Sequence, residues 1–139
     1  MALTPPMWPM VEEKLGLNWQ EDIKGILAWD TKNKTFAAGV IFEDWTYSSV
    51  QVHQWVENAV VLRHGLYNEV VRYAMGVAGM LKLIGIVPED NAAALKLNQH
   101  IGFREVCRIK DGFKPGVASV ILEADREDLS RWQHKKEAA

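Results

Sequence analysis

The chain has 139 residues, of which 48% are hydrophobic and 24% charged, with a formal net charge of −2. This composition is typical of a globular domain and excludes a disordered tail or a collagen-like repeat. One cysteine, Cys107, excludes a disulfide scaffold and a thiolate zinc site, and the near-neutral charge argues against nucleic-acid binding through a basic field.

The length predicts a single domain over residues 1–139, because domains usually hold ~100–150 residues. The first ten residues carry no basic segment and three prolines, so we expect no signal peptide. No stretch approaches the ~18 apolar residues of a membrane span, and a lone cysteine fits a reducing compartment. We therefore expect a soluble, cytoplasmic protein.

The hydrophobic pattern changes type several times along the chain, as in a mixed α/β domain. Alternation and short apolar runs predict strands, whereas steps of three and four residues predict helices. In chain order, the predicted elements are a helix at 8–15, strands at 23–29, 37–42 and 49–56, a helix at 60–81, a strand at 83–87, a helix at 91–101, and strands at 104–110 and 117–124. A charged tail follows from residue 126, and its end is expected to fray.

The strand–helix–strand unit over residues 49–87 predicts two parallel strands joined by a right-handed crossover. The short connections on either side of this unit predict antiparallel neighbours. The expected fold class is therefore α/β, with a mixed, mostly antiparallel sheet, a central parallel strand pair and flanking helices.

One predicted helix carries a regular pattern of small and polar residues. Asn91, Ala94 and Asn98 fall at steps of three and four residues, so they share one helix face. Ala94 would let a ligand approach the helix backbone, with an asparagine amide on either side of it. Gly102 and Phe103 close the helix. The same spacing also suits an ordinary amphipathic helix with two solvated asparagines.

This Asn-x-x-Ala helix closed by Gly-Phe, together with the order of the elements, resembles the GNAT superfamily of acyl-CoA N-acyltransferases. The segment 39–45, His53 and the segment 73–75 more narrowly resemble small GNAT-like proteins encoded by bacteriophages. The resemblance implies a GNAT-like fold and transfer of an acetyl group from acetyl-CoA to an amine acceptor, without a metal. Base modification of nucleic acid by a related phage enzyme is disfavoured by the net charge of −2.

Two positions depart from the family pattern. The family's glycine-rich pyrophosphate loop corresponds to residues 57–66, which contain one glycine, Gly65. Arg63 and His64 would replace backbone contacts to phosphate with side-chain contacts, or are simply exposed residues at the start of a helix. The tyrosine that often protonates the departing thiolate is Asn98 here, and an amide donates a hydrogen bond but no proton. These departures leave open a catalytically weak or inactive GNAT-fold protein that binds CoA or a protein partner.

His53 is the candidate general base, because the unperturbed pKa of a histidine side chain, ~6.5, suits proton removal near neutrality. A purely structural role is the alternative for His53, and His64 is the alternative base. Backbone N–H groups from Gln54 to Val56 are expected to polarise the thioester carbonyl if the parallel strands splay apart. The residues expected to contact acyl-CoA are Gln54, Trp55, Val56, Arg63, His64, Gly65, Asn91, Ala94 and Asn98, and those expected to be catalytic are His53 and Asn98.

The remaining chemistry-bearing residues have weaker signals. Glu43 and Asp44 either cap a turn, which we favour, or bind a cationic acceptor. Trp8 and Trp19 lie outside the motifs and, if exposed, would anchor a possible homodimer. Cys107 is expected to be a buried strand residue without a catalytic part. Trp29, Trp45 and Trp55 are expected in the core or in an acceptor pocket.

Overall fold

The computed structural model describes residues 1–3, 7–15, 22–57 and 59–133. The helices are α1 (Trp8–Leu15), α2 (Leu66–Val71) and α3 (Ala92–Ile101), and the strands are β1 (Lys24–Asp30), β2 (Thr35–Glu43), β3 (Ser49–Val56), β4 (Lys82–Pro88), β5 (Arg104–Lys114) and β6 (Val117–Ala124). A 3₁₀ turn at Ala59–His64 leads into α2, a π-helical segment at Arg72–Val77 extends it, and a second 3₁₀ turn covers Ser130–Trp132.

The six strands form one sheet in the order β1-β2-β3-β4-β6-β5. Strands β3 and β4 are parallel, and every other neighbouring pair is antiparallel. The predicted fold class is therefore confirmed. The central parallel pair arises because the α2 crossover returns the chain to the same end of the sheet, as a strand–helix–strand unit requires.

Two apolar clusters pack against the sheet, one on each face. The larger one lies on the face covered by α2 and α3, and it takes the even-numbered side chains of β2 and β3, such as Phe42 and Val52. The smaller one lies under α1 and takes odd-numbered side chains such as Ile41. Strand β2 is thus buried on both faces, which matches its almost continuous apolar sequence.

The prediction of one helix over 60–81 is wrong in detail, because this segment forms a 3₁₀ turn, the helix α2 and a π-helical segment. Gly65 has a φ of 93° and interrupts the helical geometry before Leu66. Beyond α2, the N–H of Ala78 donates to the carbonyl of Tyr73 at 2.8 Å, a five-residue step that widens the turn. The apolar stripe continues through both irregularities, so hydrophobic spacing alone suggested a single helix.

Three further expectations need correction. Strand β5 runs to Lys114 instead of ending at residue 110. Cys107 lies on β5 but is exposed, because this edge strand has no covering layer. Trp8 is buried at 9% exposure under the sheet, so it is no exposed interface anchor. Trp19 and residues 134–139, including the end of the predicted fraying tail, lie outside the described residues.

No helix among the residues described is long and apolar enough to cross a membrane.

Candidate active site

The parallel strands β3 and β4 are paired over only three residues at the start of each strand. The paired residues are Ser49 with Lys82, Val50 with Leu83, and Gln51 with Ile84. Beyond Gln51, β3 stays bonded to β2 as far as Val56, and β4 stays bonded to β6 as far as Pro88. The carboxyl-terminal halves of the two parallel strands therefore splay apart. The β2–β3 register has no shift, so the opening needs no bulge in β3.

The splay leaves backbone donors of β3 without a ladder partner on β4. The N–H of Glu57 donates to the carbonyl of Ala37 at 2.8 Å, toward the β2 side. Because backbone polar groups alternate in direction along a strand, the N–H groups of Gln54 and Val56 point the opposite way, into the gap. The same alternation directs the N–H of Trp55 toward β2.

A cavity of about 150 Å³ occupies this gap. Its walls come from the splayed part of β3, from β4, from α3 and from the end of α1. It brings together five residues predicted for the site: His53, Gln54, Asn91, Ala94 and Asn98.

Small residues on β4 and α3 leave space for the cavity. Gly85 of β4 lines the cavity, and a Cβ added there would come no closer than 3.9 Å to any neighbour. Ala94 faces the same space from α3. The side-chain oxygen of Asn91 caps α3 by accepting from the N–H of Ala94 at 3.1 Å. Asn91 is therefore partly committed to holding the helix start at the cavity.

A chain of side-chain hydrogen bonds crosses the cavity wall. The Tyr67 hydroxyl donates to Oε1 of Gln54. Nε2 of Gln54 donates to Oδ1 of Asn98 at 2.8 Å, and Nδ2 of Asn98 donates to the carbonyl of Ala94 at 2.8 Å. Burial raises the pKa of the Tyr67 hydroxyl, so this group stays protonated. Asn98, predicted to contact the thioester, is thus also tied into a buried relay.

His53 is paired with the carboxylate of Glu43, a contact that was not predicted from the sequence. Nε2 of His53 lies 2.5 Å from Oε1 of Glu43, and the two side chains are 20% and 14% exposed. The β2–β3 register pairs Ile41 with His53 and Glu43 with Gln51, which sets Glu43 diagonally beside His53 on one sheet face. An ionised carboxylate only accepts hydrogen bonds, so a neutral His53 carries its proton on Nε2 and keeps Nδ1 as its basic nitrogen.

The other predicted site residues lie apart from this cavity. The ring of Trp55 packs over Gly39 on β2, where an added Cβ would come within 2.3 Å of it, and it joins the apolar cluster under α1. His64 and Gly65 line a separate cavity of about 580 Å³ beside β1 and the start of α2. Arg63 is exposed at the same turn and forms no ion pair within the described part of the chain.

Similarity to solved structures extends over nearly the whole chain. The spermidine/spermine N-acetyltransferase SpeG from Vibrio cholerae, in complex with manganese ions, matches with a TM-score of 0.75 at 13% identity and covers 94% of each chain. Ribosomal-protein-S5-alanine acetyltransferase from Vibrio fischeri matches with a TM-score of 0.65 at 10% identity, over 89% of this chain and 69% of the other. A Desulfovibrio desulfuricans protein described as a GNAT-family acetyltransferase matches at 0.62 and 15%, over 74% and 69%.

At these identities the likeness shows the GNAT fold. No protein-family model and no curated protein matches the chain. Among residues 1–3, 7–15, 22–57 and 59–133, no group of three or more His, Cys, Asp or Glu side chains could hold a metal ion.

Proposed function

We propose that this GNAT-fold chain is a cytoplasmic N-acetyltransferase that transfers an acetyl group from acetyl-CoA to an amine. The observation that carries the proposal is the splay between β3 and β4, which leaves the N–H of Gln54 facing a cavity that Gln54 and His53 line. Preorganised backbone donors of this kind stabilise the oxyanion that forms when a nucleophile attacks a carbonyl.

The cavity suits the narrow acyl end of an acyl-CoA. Gly85 and Ala94 leave room for a slim chain between β4 and α3, and the amides of Asn91 and Asn98 offer polar contacts beside it. Arg63, His64 and Gly65 lie at the end of the 3₁₀ turn between β3 and α2, and we assign them to the phosphates. An arginine side chain supplies the bidentate phosphate contacts that a glycine-rich loop would otherwise make through its backbone.

The reaction that fits these residues is direct transfer. The neutral amine attacks the thioester carbon, and the developing oxyanion accepts a hydrogen bond from the Gln54 N–H. The amine proton passes to Nδ1 of His53, whose Nε2–H is held by Glu43. The C–S bond then breaks, and its electron pair leaves with the CoA thiolate.

The resemblance to phage-encoded proteins and a homodimer stay predictions from the sequence.

A second function is a GNAT-fold protein that binds CoA or a partner with little or no turnover. The observation that favours it is the commitment of Asn98 to Gln54 and Ala94, at the position where the family usually has an acidic hydroxyl. An amide cannot protonate the leaving thiolate. Binding of acetyl-CoA without release of thiol would select this function.

Calorimetric titration with acetyl-CoA, followed by a thiol-release assay, tests the proposal. The amine panel includes polyamines and peptides with a free N-terminal alanine, since SpeG is named for spermidine and spermine and the Vibrio fischeri enzyme for an alanine of a ribosomal protein. His53→Ala should lower the rate, whereas His100→Ala, on the exposed face of α3, should not. Absence of binding at millimolar acetyl-CoA would end the proposal.

A further inference from the structure

The hydrogen-bond relay at the cavity has one allowed direction. The Ala94 carbonyl can only accept, so Asn98 must present Nδ2 to it and Oδ1 to Gln54. Gln54 must then present Nε2 to Asn98, which leaves its Oε1 for the Tyr67 hydroxyl. A single backbone carbonyl therefore fixes the orientation of two amides and the hydroxyl donor.

The relay stands where the backbone ladder is missing. Gln54 lies three residues beyond Gln51, the last residue of β3 that pairs with β4. Tyr67 belongs to the crossover helix α2, and Asn98 belongs to α3, which follows β4. Strand β3 and helices α2 and α3 are thus joined by side-chain bonds where strand pairing is missing. Tyr67 is fully buried and Asn98 is 4% exposed, whereas Gln54 is half-buried where it lines the cavity.

Each amide in the relay keeps one N–H that no described bond uses. Nε2 of Gln54 and Nδ2 of Asn98 carry two hydrogens each, and the relay takes one from each. Both residues line the cavity. The hydrogen of the Tyr67 hydroxyl, by contrast, is committed to Gln54. The donors left for a departing sulfur are therefore amides and not an acid.

We propose that Tyr67 is a positioning residue for acyl transfer, which acts through Gln54 to hold the free N–H groups of Gln54 and Asn98 toward the departing thiolate. This inference rests on the proposed acetyl transfer. When the amine nitrogen has bonded to the acyl carbon, the C–S electron pair moves to sulfur, and the thiolate leaves stabilised by these donors. It takes its proton from solvent after release, so the step needs no general acid.

Tyr67→Phe tests the role, with Tyr73→Phe as the matched control. Both variants remove one phenolic oxygen, but the Tyr73 ring packs on Phe42 and Trp45 outside the relay. Tyr67→Phe should lower kcat about tenfold, because misplaced groups weaken transition-state contacts, while the Kd for acetyl-CoA stays within about threefold. Tyr73→Phe should leave kcat within about twofold. A melting curve establishes that each variant is folded.

The same substitution in an Asn98→Ala background separates positioning from general structural support. If Tyr67 acts through Gln54 and Asn98, adding Tyr67→Phe to Asn98→Ala should change kcat by less than about threefold, because the two residues belong to one unit. Full additivity, or a Tyr67→Phe variant with unchanged kcat, would overturn the inference while leaving the proposed function standing. A wild-type chain that binds acetyl-CoA but releases no thiol would overturn both.

Discussion

Glu43 and His53 face each other across neighbouring strands, with Oε1 and Nε2 separated by 2.5 Å. His53 lines the cavity that opens between β3 and β4. A carboxylate beside one ring nitrogen selects the tautomer and leaves the other nitrogen free to take a proton. The pair thus has the arrangement expected of an oriented general base.

Replacing Glu43 tests that orientation. Glu43→Gln should lower kcat/KM roughly tenfold and His53→Ala roughly a hundredfold, since general base catalysis contributes factors of this order. Steady-state thiol release measures both. Asp44→Asn is the control, because Asp44 is exposed in the adjoining turn at a φ of 54° that asparagine also tolerates. Equal losses in Glu43→Gln and Asp44→Asn would remove Glu43 from the mechanism.

The pH dependence of kcat tests whether a group with an ordinary tyrosine pKa acts as the acid. Burial raises the pKa of Tyr67, and its hydrogen bond with Gln54 offsets this only in part. The hydroxyl therefore remains protonated beyond the ordinary tyrosine range near 10. With amine saturating, kcat should show no fall between about pH 8 and about pH 10, because the amide donors do not titrate and Tyr67 stays protonated. A tenfold fall per pH unit within that interval would instead reveal a titrating acid.

Gly102 should be irreplaceable for a backbone reason. Its φ is 131°, and a Cβ there would lie 2.4 Å from the carbonyl oxygen of Asp128, a backbone atom that cannot rotate away. Gly102→Ala should lower the free energy of unfolding by about 2 kcal/mol or more. Gly76→Ala, where an added Cβ meets nothing within 4 Å, should be neutral or slightly stabilising. Urea unfolding compares the two, and equal stability of both variants would contradict this reading of the helix end.

Asp128 should stabilise the folded chain in a pH-dependent way. Burial alone would raise the pKa of its carboxyl, but hydrogen bonds from the Arg104 side chain and the Asp125 backbone outweigh it and lower the pKa. A lowered folded-state pKa gives stability that is present above the unfolded value of ~3.9 and is lost as pH falls through the folded value.

Asp128→Asn should therefore cost about 1 kcal/mol of unfolding free energy at pH 7, and the difference should shrink in acid. Asp90→Asn provides the control, since Asp90 is exposed and forms no ion pair among the residues described. If the difference in unfolding free energy between wild type and Asp128→Asn grows toward acid pH, folding does not lower the pKa of Asp128.

The fold class and five of the residues that line the cavity could be predicted from the sequence, because the patterns that indicate them are local. Alternation, helical spacing and the Asn91-to-Phe103 segment each arise within a dozen residues. The Glu43–His53 pair depends on the register between β2 and β3, and either strand could slide by two residues without changing its hydrophobic pattern. The Tyr67 relay joins three elements up to 44 residues apart at Gln54 and Asn98. No periodicity in the chain records such long-range hydrogen bonds.

The exposed position of Cys107 has a similar cause. Its strand has an ordinary apolar content, so the sequence indicated burial. Burial depends on which strand ends the sheet, and the strand order puts β5 at the edge. Edge position is a property of topology, which strand-level patterning does not determine.

Amide-resolved NMR during titration with acetyl-CoA tests whether the thioester binds between β3 and β4. If the splay between β3 and β4 receives the thioester, the backbone N–H resonances of Gln54 and Val56 should shift strongly. The N–H of Trp55, which points toward β2, should shift less. Unchanged Gln54 and Val56 resonances at saturating acetyl-CoA, or shifts confined to the residues around the larger cavity beside β1, would contradict the account.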